Sequence, residues 1–310
     1  MTGETAPAPA KAPAPIRPFA TATARDTESG IPGDQGRRIR RGVAYAFLIG
    51  YALLMFVPFA WTVITSFKTQ PDALQMTIIP DPFSLQGWEH AFTQLKPPLP
   101  RLFLNSAIVA IAVTVSNVFL GAMAGYAFAR LRFPGRDLLF LLVLGTLMIP
   151  DQLRMVPVYQ LLRSFGLLKG ELQYGGLWLI LAINAASIFL LRQYFLTIPR
   201  DLEEAAKLDG AGFFRTFWKV MLPLAGPALA AVAILQFQGT WNNFFWPLVI
   251  LQTRDYWTLP LGLTLFKTQY FTIWPDLMAV VVMATIPILL LYLFFQRYFV
   301  EGVAASGVKG

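Results

Sequence analysis

Cysteine is absent and histidine occurs once, as His90, so the 310-residue chain offers no disulfide, no thiolate metal site and no cluster of imidazole ligands. Charge is scarce too: Asp, Glu, Lys and Arg make up 14% of the residues, well under the roughly 25% of a soluble globular domain. No glycine-rich phosphate loop ending in Lys-Ser or Lys-Thr is present, and no nucleophile elbow. The chain therefore carries no machinery for hydrolysing nucleotide, is read as no enzyme, and implies neither a metal nor a cofactor. His90 is expected to be an ordinary surface residue.

What the sequence has in abundance is apolar surface. Hydrophobic residues make up 56% of it and the mean hydropathy is +0.55. The apolar residues fall into runs of about the 20 residues needed to cross a bilayer's hydrocarbon. The expectation is an all-α polytopic membrane protein with six transmembrane helices, at 43–65, 104–128, 138–159, 176–196, 224–250 and 277–297. The third contains Pro150, Asp151 and Arg154, and is expected to break or emerge near Pro150, since proline cannot continue the helical hydrogen-bond ladder.

Three regions follow. Residues 1–36, rich in Ala, Pro, Thr and Gly, cannot bury enough apolar surface to offset the entropy of ordering and are expected to be a disordered tail. Residues 37–300 form the membrane domain, and residues 301–310 a short C-terminal tail. The first apolar run follows Arg37, Arg38, Arg40 and Arg41 and is long enough to span, so it is not read as a cleavable signal peptide.

The net charge of +8 resides in short loops between apolar runs, not along one helix face, which argues for membrane loops and against nucleic acid. With the N-terminus inside, 17 of the 25 lysines and arginines fall on the inner side and 8 on the outer. The positive-inside rule then puts both termini in the cytoplasm. Trp88, Trp257 and Trp274 fall near the outer membrane surface, where aromatic belts form.

One inner loop, residues 198–224, is polar yet structured. Residues 201–208 favour helix, Gly210 and Gly212 interrupt it, and a second amphipathic stretch runs from Phe213 to Leu222 and ends at Pro223. Small Ala205 and Ala206, flanked by Glu203, Glu204, Lys207 and Asp209, suit close docking of a partner. An ordinary interfacial helix without a partner fits the same pattern.

The fifth run carries Gln236, Gln238, Thr240, Trp241, Asn242 and Asn243. Polar side chains at membrane depth either line a wet cavity or bond between helices. Amides that exchange hydrogen bonds with hydroxyls, beside an aromatic ring, suit an uncharged polyol, so Gln238, Trp241, Asn242 and Asn243 are candidates for a substrate pathway. Interhelical packing is the competing reading. Asn117 and Asn184 are further candidates, and Asp151 is read as an interface residue rather than a proton relay.

The loop resembles the EAA loop of permease subunits in ATP-binding cassette importers, in which EAA, three residues, G, nine residues, I, one residue and LP follow one another. Here Glu204, Ala205 and Ala206 precede Gly210, Val220 stands where isoleucine is usual, and Leu222 and Pro223 follow at the same spacing. The resemblance extends over most of the chain, through Ser66-Phe67-Lys68, LRQYF at 191–195, WNNFFWPL at 241–248 and GVKG at 307–310. It is closest to the second permease of maltose-type carbohydrate importers.

That resemblance implies a bacterial inner-membrane permease for a sugar or oligosaccharide. Its partners would be a second permease, two ATP-binding subunits on the cytoplasmic side and an extracytoplasmic solute-binding protein. Glu204, Ala205, Ala206, Gly210, Leu222 and Pro223 would couple to the ATPase, and Ser306–Gly310 would reach its interface. The rival reading is an ion-coupled secondary transporter or channel, which would show intramembrane acids or helices broken in paired halves.

Overall fold

The computed structural model describes residues 32–267 and 271–307, with side chains described from residue 38 to 295. The expected tail at 1–31 and the terminal residues 308–310 lie outside the described residues. Apart from one isolated bridge between Lys267 and Thr272, the regular elements among them are helical.

The chain divides into two units, at Met55/Phe56. The first holds the start of α1 (Pro32–Thr65), which begins inside the stretch expected to be tail. Residues 38–55 are exposed throughout, Phe47, Leu48, Leu53 and Leu54 among them. A helix apolar on every side suits lipid rather than water.

The second unit is built along α4 (Leu99–Arg130). A short α2 (Gln70–Ala73) and α3 (Gln86–Thr93) precede it, and α5 (Arg136–Gly145), α6 (Asp151–Ser164), α7 (Leu172–Leu181) and α8 (Ala185–Thr197) follow. Next come α9 (Asp201–Leu208), then α10 (Phe213–Thr216), a π-helical turn (Phe217–Met221) and α11 (Leu222–Leu224) in unbroken succession. After these come α12 (Gly226–Trp241), α13 (Phe245–Ile250), α14 (Leu259–Gly262) and α15 (Trp274–Gly307).

α4 packs on α8 and α12, α12 on α15, and α15 on α3. The α4–α8 approach depends on small residues: a Cβ built on Gly125 would stand 2.9 Å from the Arg192 backbone nitrogen and 3.0 Å from Leu191 Cβ. Where lipid removes the hydrophobic drive between helices, such close backbone contact supplies the dispersion energy that holds them. Tyr126, Ala129, Leu191, Phe195, Phe217 and Met221 form a core at one end of α4. Leu99, Leu102, Trp241, Leu259 and Val280 form another at the opposite end.

Among the described residues, three helical stretches are long and apolar enough to cross a membrane: Arg38–Thr65, Leu99–Arg130 and Trp274–Phe295. They contain the expected first, second and, up to residue 295, sixth runs. The other three are bent pairs. The third run breaks at Pro150 as expected, α5 and its following turn meeting α6 at 103°. The fourth breaks between Leu181 and Ala185 at 47°, because Asn184 takes an extended conformation and its Oδ1 accepts from Ser187 N at 2.8 Å, starting a new helix. The fifth is not one helix from 224 to 250: a 75° bend at Ala225 precedes α12, which stops at Trp241, and α13 begins four residues later, at Phe245. The amphipathic stretch runs one residue past Pro223, to Leu224, before the bend.

The segment between α1 and α4 is folded, not a solvated loop. Lys68 is fully buried; its Nζ donates to Thr77 O at 2.5 Å and to Thr77 Oγ1 at 2.8 Å, and lies 3.9 Å from Asp72 Oδ2. Asp72 in turn accepts from Thr77 Oγ1 at 2.8 Å and from Asp81 N at 3.2 Å. His90 is not the ordinary surface residue expected: its Nδ1 lies 3.1 Å from Asp276 Oδ2, joining α3 to the start of α15. Beside it Gly87 lets the chains touch, since a Cβ there would meet the Pro275 carbonyl at 2.8 Å.

Candidate functional site

The EAA-like loop is a helix, a glycine turn and a second helix, as the residues suggest. Asp201, Glu203 and Glu204 in the first turn of α9 and Lys207 in its last complement the helix dipole. α9 ends in a Schellman motif: Ala211 N donates to Ala206 O at 2.9 Å and Gly210 N to Lys207 O at 3.0 Å. Gly210 takes φ +76°, the left-handed conformation this cap requires and side chains resist.

α9 has two faces. Glu203 and Ala206, three residues apart, are buried, whereas Glu204, Ala205, Leu208 and Gly210 are exposed, Leu208 by 90%. The two alanines of the motif are thus divided: Ala205 is exposed, and Ala206 is the seat on which the helix rests. Leu222 is half-buried and Pro223 exposed.

What holds α9 from behind is Arg130, the last residue of α4. Its Nη2 donates to Phe195 O at 2.6 Å and to Ile198 O, two carbonyls at the end of α8. Its Nε stands 3.8 Å from Glu203 Oε1, both side chains being nearly buried. One guanidinium therefore joins α4, the end of α8 and α9. Neither Arg130 nor Glu203 stands out in the sequence, where Arg130 reads as one loop charge among many.

Beyond the turn, Thr216 caps back onto Gly212 O, and Phe217 and Met221 bury themselves against the α4–α8 pair. Tyr126 is the centre of this contact, its ring 5.1 Å from Phe217, 5.4 Å from Phe213 and 5.5 Å from Phe195.

The polar residues of the fifth run separate into two groups. Gln236 belongs to a network: its Oε1 accepts from Asn184 Nδ2 at 2.6 Å and its Nε2 donates to Thr240 Oγ1 at 3.2 Å. Asn117 continues it, donating to Leu181 O at 2.6 Å and accepting from Asn184 N at 3.0 Å. This network satisfies the backbone freed where α7 gives way to α8, as buried polar groups at membrane depth must be.

Trp241 is buried, its Nε1 donating to Ala284 O at 3.1 Å and its ring stacked on Phe237 at 5.7 Å. Asn243 Oδ1 accepts from Trp246 N at 3.2 Å. Gln238 and Asn242 are exposed, and their side chains have no partner among the described residues. Asp151, first residue of α6, accepts from Trp246 Nε1 at 3.1 Å and pairs with Arg154, whose guanidinium stands 5.7 Å from the Trp246 ring centre.

Residues 117–304 match the family described as the binding-protein-dependent transport system inner membrane component. An arabinooligosaccharides transport system permease protein of Halalkalibacterium halodurans is 38% identical over 86% of this chain and 97% of its own length. A diacetylchitobiose uptake system permease of Streptomyces coelicolor is 36% identical over 82% and 84%. An sn-glycerol-3-phosphate transport system permease of Yersinia enterocolitica is 34% identical over 84% and 94%. Among solved structures, a bacterial ABC transporter involved in the import of the acidic polysaccharide alginate matches with a TM-score of 0.74 and 25% identity, over 85% of this chain and 98% of that one. The chain, helical around one long apolar scaffold and bearing the EAA turn on an exposed helix, belongs to the inner-membrane permeases of binding-protein-dependent transport systems.

Proposed function

We infer that this permease forms half of the pathway by which an ATP-driven importer carries an oligosaccharide inward, and that α9 is where ATP hydrolysed on another subunit acts upon it. The observation that carries the reading is the two-faced α9: Glu204 and Ala205 look outward as a docking edge, while Ala206 is buried on the inner face and Glu203 ties the helix to α4 through Arg130. Gly210 ends the helix, and Leu222 and Pro223 carry its displacement into α12. Partners are a second permease, two ATP-binding subunits and an extracytoplasmic solute-binding protein.

Each bent pair counts as one span, making six, with both termini cytoplasmic and α9 on the cytoplasmic side. Arg130, Arg132, Arg136, Arg192, Arg200, Lys207, Arg215 and Lys219 gather on that side, in agreement with the positive-inside rule. The substrates named for the relatives are hydroxylated, and Gln238 and Asn242 offer amides free to bond hydroxyls.

The test is to purify the tagged chain from its native membrane in mild detergent, identify its companions by mass spectrometry, and reconstitute them in liposomes. The expected result is a second permease and an ATPase, with uptake of labelled oligosaccharide that requires ATP and the binding protein. Recovery of the chain alone, moving solute without ATP, would overturn the reading.

A further inference from the structure

The turn between α4 and α5 opens a cleft of about 760 Å³ lined by Arg132, Phe133, Gly135, Arg136, Leu138 and Arg200. Arg136 spends part of its charge on Asp137, at 2.9 Å, and on Leu131 O, at 3.3 Å. Arg132 and Arg200 are exposed, and neither side chain has a partner among the described residues. Three guanidiniums thus border one cleft against a single carboxylate, and two are uncommitted.

One wall of the same cleft is apolar and does not stop at its edge. Leu138 lines it at 63% exposure, and Leu139, Leu141 and Leu142 continue the exposed apolar surface along α5. Arginine forks match phosphate oxygens in pairs. A ligand that satisfies both features carries a phosphate at one end and hydrocarbon at the other.

We propose that the cleft binds the headgroup phosphate of an anionic phospholipid, Arg132 and Arg200 gripping the phosphate and the acyl chains lying along Leu138, Leu141 and Leu142. The inference rests on reading α5 as entering the membrane at its Arg136 end, but on no assignment of the transported solute. The leucine wall is what favours a lipid over an acidic side chain of the neighbouring ATPase, which would need only the arginines. Because Arg200 directly precedes α9, an occupied cleft would also steady the start of that helix.

The purified complete transporter is exchanged into nanodiscs of phosphatidylcholine with or without phosphatidylglycerol, and retained lipid is measured by native mass spectrometry after release into detergent. The wild type is expected to retain phosphatidylglycerol selectively. The double variant R132Q/R200Q is expected to retain it about thirtyfold less, roughly fivefold for each arginine lost near a membrane surface. The single variants R132Q and R200Q guard against a double variant that fails to fold, each expected to give an intermediate loss.

A parallel arm measures thermal unfolding of the phosphatidylglycerol sample and of the phosphatidylcholine sample with added inorganic phosphate. Protection of the fold by phosphate equal to that by phosphatidylglycerol would overturn the lipid in favour of a free anion. Equal lipid retention by wild type and variants would overturn the site. Loss of the ATPase subunit from the variant complex, with lipid retention unchanged, would reassign the arginines to that protein interface.

Discussion

Arg130 and Glu203 lie 3.8 Å apart in space and join the far end of α4 to the first turn of α9. The contact is an ion pair without a hydrogen bond: Arg130 Nε and Glu203 Oε1 are both buried and have no hydrogen-bond partner among the described residues. The guanidinium's Nη2 is committed to the two carbonyls that end α8. Buried pairs of this kind add little net stability, yet breaking one strands a charge.

Arg130→Ala is therefore expected to cost about 3–5 kcal/mol, the penalty of leaving Glu203 unpaired together with two open carbonyls. Glu203→Gln keeps the shape of α9 and the carbonyl bonds, and is expected to cost clearly less. Thermal unfolding of the detergent-solubilised complex checks the order. If Glu203→Gln proved as damaging as Arg130→Ala, the carbonyl bonds would not be the larger share of Arg130's role.

Gly210 separates backbone geometry from packing. Nothing lies within 4 Å of a Cβ built there, so the penalty of Gly210→Ala arises from φ +76° alone, about 1–2 kcal/mol for an L residue. Gly212, at φ −71° and equally uncrowded, serves as the control. Transport by Gly210→Ala is expected to fall while ATP hydrolysis persists, with Gly212→Ala close to wild type. Matching losses in both would mean that the turn's flexibility, not the cap, is what matters.

Much of this was legible in the residues and some was not, for physical reasons. Hydropathy located the long runs because the bilayer sets their length, and Pro150 announced its own break because it lacks an N–H. Hydropathy is blind to bends made by polar capping, so the breaks at Asn184 and at Asn243 escaped it: Asn184 caps α8 through Ser187 N and is held there by Asn117 and Gln236, and Asn243 accepts from Trp246 N at the start of α13. The α9 turn was readable because Gly210 is a local device. Arg130 and Lys68 were not, since a charge count assigns each to a loop while tertiary contacts bury both.

Gly125 tests the close approach of α4 and α8. A side chain there would press on the Arg192 backbone, which cannot swing aside as a side chain could. Gly125→Val is expected to destabilise the fold by at least the roughly 1–3 kcal/mol usual for overpacking, and to lower the amount of assembled complex in the membrane. Gly175→Ala, at a site with nothing within 4 Å, is expected to leave both unchanged. Equal abundance of the two variants would show that α8 can withdraw from α4 without loss.

Gln236 and Asn242 bear the same amide chemistry six residues apart and should respond oppositely. Gln236 bonds to Asn184 and Thr240, so Gln236→Ala removes an interhelical tie of the kind worth about 0.6–2 kcal/mol in membranes. Its effect should appear first in melting temperature. Asn242 has no side-chain partner among the described residues, and its backbone N–H still donates to Gln238 O at 3.1 Å whatever side chain it carries. Asn242→Ala should melt like the wild type, yet raise the concentration of binding-protein-delivered sugar needed for half-maximal uptake. Uptake indistinguishable from wild type would remove Asn242 from the substrate pathway and leave Gln238 as its candidate amide, because Gln238 is the other member of the group left exposed and unpaired.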